Sequence, residues 1–199
     1  MTNIYPEGKV LADLQTSYSE SRRVYHTWAH VQYMLDNYAD LVHRELVPID
    51  MVQVYAIWFH DVVYLPESTE NELNSAFFAT NYLHALGVDE ETCHSVSSLI
   101  LDTIPPYIAW HERSQLLVDL DLLALSGDSE VYAANAVNIR QEYAHVPERS
   151  WLSERRAFLK KLLVREPFFY SPFFQTRKTA ACRNVYVELK TIEHQLGLE

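Results

Sequence analysis

The stretch YAIWFHDVVYLPESTENELNSA, which runs from Tyr55 to Ala76, places two ionisable residues directly after a run of apolar and aromatic side chains. The run VYAIWF predicts a helix that is held in the core, with His60 and Asp61 at its end. Pro66 then closes the helix, and STENE resembles a capping signal that opens the next one. An ionisable group that is buried without a partner costs free energy, so this pattern indicates that something compensates the pair. A metal ion is one candidate.

Composition and periodicity favour an all-helical protein. The chain has 199 residues, of which 48% are hydrophobic and only four are glycine. No segment shows the alternation of a strand between glycine-rich turns, and there are no internal repeats. We predict helices over about 20–45, 50–63, 70–86, 89–103, 113–126, 128–145, 150–165 and 171–196. This length suits one substantial core, so we expect an all-α, single-domain helical bundle over residues 1–199, and two domains stay open as the alternative.

The net charge and the N-terminal sequence bear on partners and location. The net charge of −11 repels a phosphate backbone, so we expect no nucleic acid polymer as a partner. The first residues, MTNIYPEGKV, lack the apolar segment of a secretory signal, and no apolar run approaches the roughly 20 residues of a membrane span. We therefore expect a cytoplasmic protein with no membrane partner.

A pair of histidines precedes the opening stretch. In RRVYHTWAHVQYML, His26 and His30 are four residues apart, so in a helix they project from one face about one turn apart. Two imidazoles placed in this way can reach one small site, although such pairs more often lie on a surface or at the edge of a core. His60 and Asp61 diverge by about 100° around their helix, so they can flank an ion in a groove between helices.

A pair of carboxylates follows the histidines. Asp119 and Asp121 stand in LLVDLDLLAL, an otherwise apolar run that we expect to be buried. Residues two apart in a helix point to different sides, so one carboxylate faces the site and the other supports it or caps a helix. A cation bound by imidazoles and carboxylates supplies the partner that a buried carboxylate needs. This ligand set suits Mn²⁺, Fe²⁺, Zn²⁺, Mg²⁺ or Ni²⁺ without distinguishing among them.

These motifs, taken in order, resemble the HD superfamily of metal-dependent phosphohydrolases. The shared skeleton is a His, then a His-Asp pair, then an Asp on successive helices. The segments RRVYHTWAHVQYML, WFHDVVY, ENELNSA, DLDLLAL, IRQEY and CRNVYVEL are similar to a small bacterial group of that superfamily. The resemblance covers roughly residues 20 to 190. It implies an HD-type helical bundle with a divalent metal ion between its helices.

The first motif also resembles the YH…H opening of cyclic-nucleotide phosphodiesterases, in which the second His binds metal and the first donates a proton to the leaving oxygen. This resemblance implies that His30 is a ligand and that His26 is the acid. DLDLL resembles the ADLS segment of the same enzymes, which implies Asp121 as a ligand and a supporting role for Asp119. The expected metal ligands are therefore His30, His60, Asp61 and Asp121. Asp61 also counts as a catalytic candidate.

Three further residues are candidates for parts of the site. Glu72, in ENELNSA, suits a general acid or a hydrogen-bond partner for a metal ligand, and equally a carboxylate that stabilises the dipole at its own helix start. Arg23 and Arg140 are candidates for binding a substrate phosphate. For Arg140, in NIRQEY, a salt bridge to Glu142, Asp119 or another carboxylate is the favoured alternative.

The chain departs from the family at one place. The group often has a histidine shortly after an AT pair on the helix before the last metal-binding aspartate. This chain instead has LILDTIPPYIAWH, with Pro106 near that place and His111 displaced. The departure disfavours a second, histidine-rich metal site. We expect one tightly held ion, and a weaker second ion bridged by Asp61 stays open.

We therefore expect an enzyme, a metal-dependent phosphohydrolase that is a phosphomonoesterase or a phosphodiesterase. The resemblance implies hydrolysis of a small phosphate ester, with nucleotides among the candidates, by a metal-activated water. Two alternatives stay open: a non-catalytic nucleotide-sensing HD module, and a di-iron oxygenase of the same fold. A homodimer is also open, since EPFFYSPFF, from Glu166 to Phe174, suits a dimer face or a base-binding pocket as well as the core packing that we favour.

Overall fold

The structure is a computed structural model that describes residues 4–105, 107 and 109–198. Within these residues all regular secondary structure is helical, which confirms the predicted all-α fold. Two short 3₁₀ helices lie at Leu123–Ser126 and Pro172–Arg177. Pro106 lies outside the described residues. The α-helices are α1 (Gly8–Ser17), α2 (Trp28–His43), α3 (Met51–Phe59), α4 (Asn71–Ala85), α5 (Glu90–Leu101), α6 (Glu112–Leu122), α7 (Ser129–Glu142), α8 (Glu148–Val164) and α9 (Lys178–Leu196).

The chain divides into two compact units, Met1–Leu120 and Asp121–Glu199. The division falls inside α6, close to its C-terminal end. A single domain over residues 1–199 therefore stays a prediction. In the described part of the chain, no helix combines the length and the hydropathy that crossing a membrane requires.

Helix α3 forms the centre of the first unit. It packs against α2, α4 and α5, and Val54, Ile57 and Phe59 are fully buried there. Asp50 caps its N-terminus, because the carboxylate accepts a hydrogen bond of 3.0 Å from the Val52 N–H. The apolar run that marked the helix in the sequence is thus the core of this unit.

Helix α3 ends at Phe59, earlier than the predicted 50–63. Side chains from other elements hold the backbone that follows. The guanidinium of Arg23 donates to the carbonyls of Asp61 and Val62, and the Ser75 hydroxyl accepts from the Val63 N–H and donates to the Val63 carbonyl. These bonds replace the helical ones, and they come from residues too distant in sequence for a periodic pattern to reveal them.

Helix α2 begins at Trp28, whereas the periodicity predicted a helix from about residue 20. Residues 18–27 form turns and bends, and Thr27 is the N-cap in an extended conformation, with φ −105° and ψ 175°. His26 therefore precedes the helix. The expectation that His26 and His30 share one helical face is wrong.

Helix α6 is attached to the first unit at its N-terminal end. Arg113 Nε donates to Asp50 Oδ2, at the start of α3, over 2.6 Å. The Ser114 hydroxyl donates to the Asp102 carboxylate, at the end of α5. His111 Nδ1 accepts from the Ser114 N–H at 3.2 Å, so this displaced histidine lies at the start of α6. These contacts set the position from which α6 runs towards Asp121.

The second unit is held by a buried ion pair and an aromatic cluster. Arg155 on α8 donates twice to the Glu188 carboxylate on α9, at 2.8 and 3.1 Å, and the Tyr132 hydroxyl donates to the same carboxylate. Burial, together with the Glu188 charge, raises the pKa of Tyr132, so its hydroxyl stays protonated and keeps donating. The favoured core packing of EPFFYSPFF is confirmed, since its buried rings include Phe168, Phe169 and Phe174.

The Glu188 network generates a prediction about stability. Glu188→Gln removes the charge opposite a guanidinium that is largely buried, so we expect the free energy of unfolding in urea to fall by at least about 2 kcal/mol. Tyr132→Phe is the matched control, because it removes one hydroxyl bond and leaves the ion pair; its loss should be about 1 kcal/mol. Equal urea midpoints for Glu188→Gln and the wild type would contradict the importance of this pair.

Candidate metal centre

His60 is the residue from which the candidate centre is built. It follows the last residue of α3 and is 1% exposed. Its Nδ1 lies 3.0 Å from the Ile57 carbonyl oxygen. Because a carbonyl only accepts hydrogen bonds, Nδ1 carries a proton, so in the neutral ring the lone pair lies on Nε2. A carbonyl on one ring nitrogen is the arrangement that orients metal-binding histidines in proteins.

His30 faces this lone pair. It is the third residue of α2 and is 6% exposed. Its Nε2 lies 3.3 Å from His60 Nε2, and the ring centroids are 5.3 Å apart with the planes inclined by 63°. The two imidazoles thus come from different helices and meet edge to edge through one nitrogen each. This is the geometry of two nitrogens that share a proton or a cation.

Asp61 adds negative charge beside His60. Its Oδ2 lies 3.3 Å from His60 Nε2. Burial raises the pKa of the Asp61 carboxyl, but the positive charge that His60 carries when it is protonated, supported by His26 and His30, outweighs burial and holds the pKa far below its usual range. Asp61 is therefore an anion at neutral pH. The predicted ligand and catalytic roles of Asp61 are consistent with this charge, and they stay predictions.

Asp121 completes a group of three ligand atoms. Although the division between the two units falls just before Asp121, α6 runs through that point without a break, so this residue is carried by a helix that begins in the first unit. One ligand atom each of His30, His60 and Asp121 lies within 4.8 Å of the other two. These three residues form a group that could hold a metal ion.

The two carboxylates of DLDLL differ in environment. Asp119 is fully buried, with 0% exposure, whereas Asp121 is half-buried and takes part in the three-residue group. This difference agrees with the expectation that one carboxylate faces the site and the other supports it. It also agrees with the choice of Asp121 over Asp119 as the ligand.

The donor atoms suit a divalent transition metal. Two imidazole nitrogens and a carboxylate oxygen are a ligand combination that proteins use for Zn²⁺, Mn²⁺ and Fe²⁺. The hydrogen bond of His60 Nδ1 to the Ile57 carbonyl supports this fit, since it directs Nε2 towards His30 Nε2 at 3.3 Å. The set does not select one of these metals.

His26, the candidate acid, lies beside the group although it is not on α2. Its ring stacks on Tyr64 with a centroid distance of 4.2 Å and an interplanar angle of 28°. Its centroid is 6.2 Å from that of His30. His26 and His30 therefore lie near each other, as predicted. Their proximity comes from the loop before α2 and from the contact with Tyr64, not from helical spacing. Tyr64 was missed in the sequence, where nothing distinguishes it from the other tyrosines.

Glu72 lies in the first turn of α4 and is half-buried. Its neighbours on that helix bind the segment that follows His60 and Asp61: Asn71 exchanges hydrogen bonds with the Leu65 backbone, and Ser75 does so with the Val63 backbone. The start of α4 is thus fastened to that segment. Both predicted roles of Glu72, as an acid and as a carboxylate at a helix start, stay predictions.

The two candidate substrate-binding arginines make contacts within the protein. Arg140, at the end of α7, donates to the carbonyls of Tyr143 and Val146 and pairs with Glu148 at 2.9 Å. The favoured alternative, a salt bridge to a carboxylate, therefore describes it. The Arg23 side chain is fully buried and donates to backbone carbonyls. These contacts leave the substrate-binding role of either arginine without support.

Comparisons with known proteins do not assign this chain to a family. No protein-family model matches it, and searches of curated proteins and of solved structures also find no match. The resemblance to the HD superfamily therefore stays a prediction that rests on the motifs themselves.

The geometry of the group generates a prediction about metal binding. His60→Ala and Asp121→Asn each remove a ligand atom, so we expect the affinity for Co²⁺ or Zn²⁺ in equilibrium dialysis to fall by about 100-fold or more. Asp119→Asn is the matched control on the same helix. It should retain the metal, although it will lower the melting temperature. Loss of metal by Asp119→Asn together with full binding by Asp121→Asn would reverse the assignment.

Proposed function

We propose that this protein is a metal-dependent phosphohydrolase that acts on a small phosphate ester. The observation that carries the proposal is the meeting of one ligand atom each of His30, His60 and Asp121 within 4.8 Å of one another. These residues stand in the order His, His-Asp, Asp that is typical of the HD superfamily. The order alone is weak support, but here it coincides with proximity in space.

In this proposal His30, His60, Asp61 and Asp121 hold a divalent cation. When bound, such a cation supplies a water of lowered pKa and a positive charge for the phosphoryl oxygens of the substrate. The protein contributes ligands of fixed orientation: His60 through its bond to the Ile57 carbonyl, and His30 through its place in the first turn of α2. The anionic Asp61 adds negative charge next to His60.

His26 is the proposed general acid, which protonates the leaving alkoxide oxygen. Its ring lies beside His30, and the stacking contact with Tyr64 restricts its orientation. A proton donor must be held within hydrogen-bond reach of the leaving oxygen, so a fixed imidazole next to the ligands suits the role. Glu72 is the alternative acid, on the helix start fastened to the segment after Asp61.

The substrate is proposed to be small. The net charge of −11 disfavours long polyanions, whereas a single phosphate group can be accepted where a cation reverses the local charge. A nucleotide fits this description, as do other phosphorylated metabolites. A panel of phosphomonoesters, cyclic diesters and pyrophosphates, assayed with protein loaded with Mn²⁺, Zn²⁺ or Fe²⁺, identifies the bond that is broken.

The same panel tests the first alternative, a sensing module, and metal content per chain tests the second, an oxygenase. A nucleotide-sensing module would bind metal and ligand without turnover, and an oxygenase would carry two iron atoms per chain and consume O₂. In the described part of the chain, the only group of three or more metal-binding side chains close enough to share an ion is the one at His30. This observation favours a single-ion site over the two-iron site of an oxygenase, and turnover on the panel separates the phosphohydrolase from a sensing module.

The two histidines of YHTWAH generate a prediction that separates binding from catalysis. His30→Ala should lower both metal content and hydrolysis, because it removes a ligand atom. His26→Ala should keep the metal and lose about 10²–10⁴-fold in kcat, the usual scale for general acid catalysis. For a nitrophenyl ester, whose leaving group needs no proton, the loss in His26→Ala should shrink.

Two measurements decide the outcome. Plasma emission spectroscopy gives the metal content of each variant, and initial rates are measured on the nitrophenyl ester and on an ester whose leaving alkoxide needs a proton. Chelation of the wild type should abolish hydrolysis, and addition of the metal should restore it. Two results contradict the proposal: full hydrolysis after exhaustive chelation, or unchanged metal content and rate in both variants. Loss of metal in His26→Ala with retention in His30→Ala would exchange their roles.

A further inference from the structure

Arg23 links the two sequence motifs of the candidate centre through one nitrogen. Its Nη1 donates to the His26 carbonyl at 3.0 Å and to the Asp61 carbonyl at 2.8 Å. The first carbonyl belongs to the YHTWAH segment and the second to the FHD segment. The backbones of the candidate acid and of a candidate ligand are therefore held together by the same atom.

The remaining donors of Arg23 complete this connection. Nη2 donates to the Val62 carbonyl at 2.9 Å, and Nε donates to Glu20 Oε2 at 3.3 Å. Four of the five N–H groups of the guanidinium thus have partners. Since Nη1 and Nη2 bind the carbonyls of consecutive residues, the planar fork of an arginine is needed, and the single ammonium of a lysine cannot span both carbonyls in the same way.

Aromatic rings fix the guanidinium plane. The Arg23 guanidinium carbon lies 4.9 Å from the centroid of the Tyr18 ring and 5.5 Å from that of Tyr64. Tyr64 is also the ring on which His26 stacks. The backbone of His26 is thus held by Arg23, and its imidazole by a ring that contacts Arg23.

We propose that Arg23 is a positioning residue of the metal centre, which sets the YHTWAH segment and the His60-Asp61 turn in the relative position that metal binding requires. The inference rests on the proposed metal site, and it adds a residue that contacts neither metal nor substrate. A side chain that holds ligand-bearing backbone acts on affinity and on coordination geometry, because a misplaced ligand atom weakens the site without unfolding the protein. This role replaces the substrate-binding role predicted from the sequence.

Binding of Co²⁺ tests the inference, because the visible absorption of this ion reports its coordination geometry. Arg23→Lys keeps the positive charge but loses the planar guanidinium that binds two carbonyls at once. We therefore expect the Co²⁺ affinity to fall by about 10-fold and the visible absorption of bound Co²⁺ to shift and weaken. Arg23→Ala should lose about 100-fold. Millimolar methylguanidinium should restore part of the Co²⁺ affinity that the Arg23→Ala variant loses, since it returns a guanidinium group to the site.

Arg155→Lys is the matched control. Arg155 is also a largely buried arginine that binds two acceptor atoms, but its partner is Glu188 in the second unit. This variant should lower the melting temperature of the metal-free protein at least as much as Arg23→Lys does, and leave the Co²⁺ affinity and spectrum unchanged. The comparison separates positioning from a general loss of stability.

The outcomes are distinct for the centre and for Arg23. A wild-type protein that binds no Co²⁺ overturns the metal site, and with it this inference. Wild-type affinity and spectrum in Arg23→Lys, or an equal loss of affinity in Arg155→Lys, overturn the inference while the metal site stands. If Arg23→Ala does not fold, as judged by circular dichroism, Arg23→Lys alone decides.

Discussion

The hydrogen bond between His60 and the Ile57 carbonyl is the interaction on which the candidate centre depends. It places a proton of the imidazole on Nδ1 and so directs Nε2 towards His30 Nε2, 3.3 Å away. The carbonyl is available because α3 ends at Phe59, which leaves the last carbonyls of the helix without partners inside it. The end of α3 therefore also fixes the orientation of the His60 ring.

That helix end is itself produced by contacts from other parts of the chain. Arg23 donates hydrogen bonds to the carbonyls of Asp61 and Val62, which follow the helix. The Ser75 hydroxyl bonds both the N–H and the carbonyl of Val63. Each of these side chains satisfies backbone groups that would otherwise be buried without partners. Because the same bonds fasten the loop before α2 and the start of α4 to the turn at His60, the turn is fixed from two directions.

Three arginines of this protein act as structural cations. Arg23 and Arg140 bind backbone carbonyls, and Arg155 binds a carboxylate through two nitrogens. The chain has 27 acidic and 16 basic side chains, so acidic groups outnumber the cations that could attract a phosphate. In the proposed function a metal ion has to supply this charge, which is why metal binding and activity are expected to be lost together.

The sequence by itself determined the helical class and the core position of VYAIWF, because both follow from composition or from local periodicity. The resemblance of its motifs to the HD superfamily indicated His30, His60 and Asp121, whose ligand atoms the tertiary structure brings within 4.8 Å of one another. Only the tertiary structure decided where α2 begins and α3 ends, why His26 stacks on Tyr64, and what Arg23 binds. The physical reason is that these features depend on hydrogen bonds and ring contacts between residues as far apart in the chain as Arg23 and Val62, and no local pattern encodes such pairs.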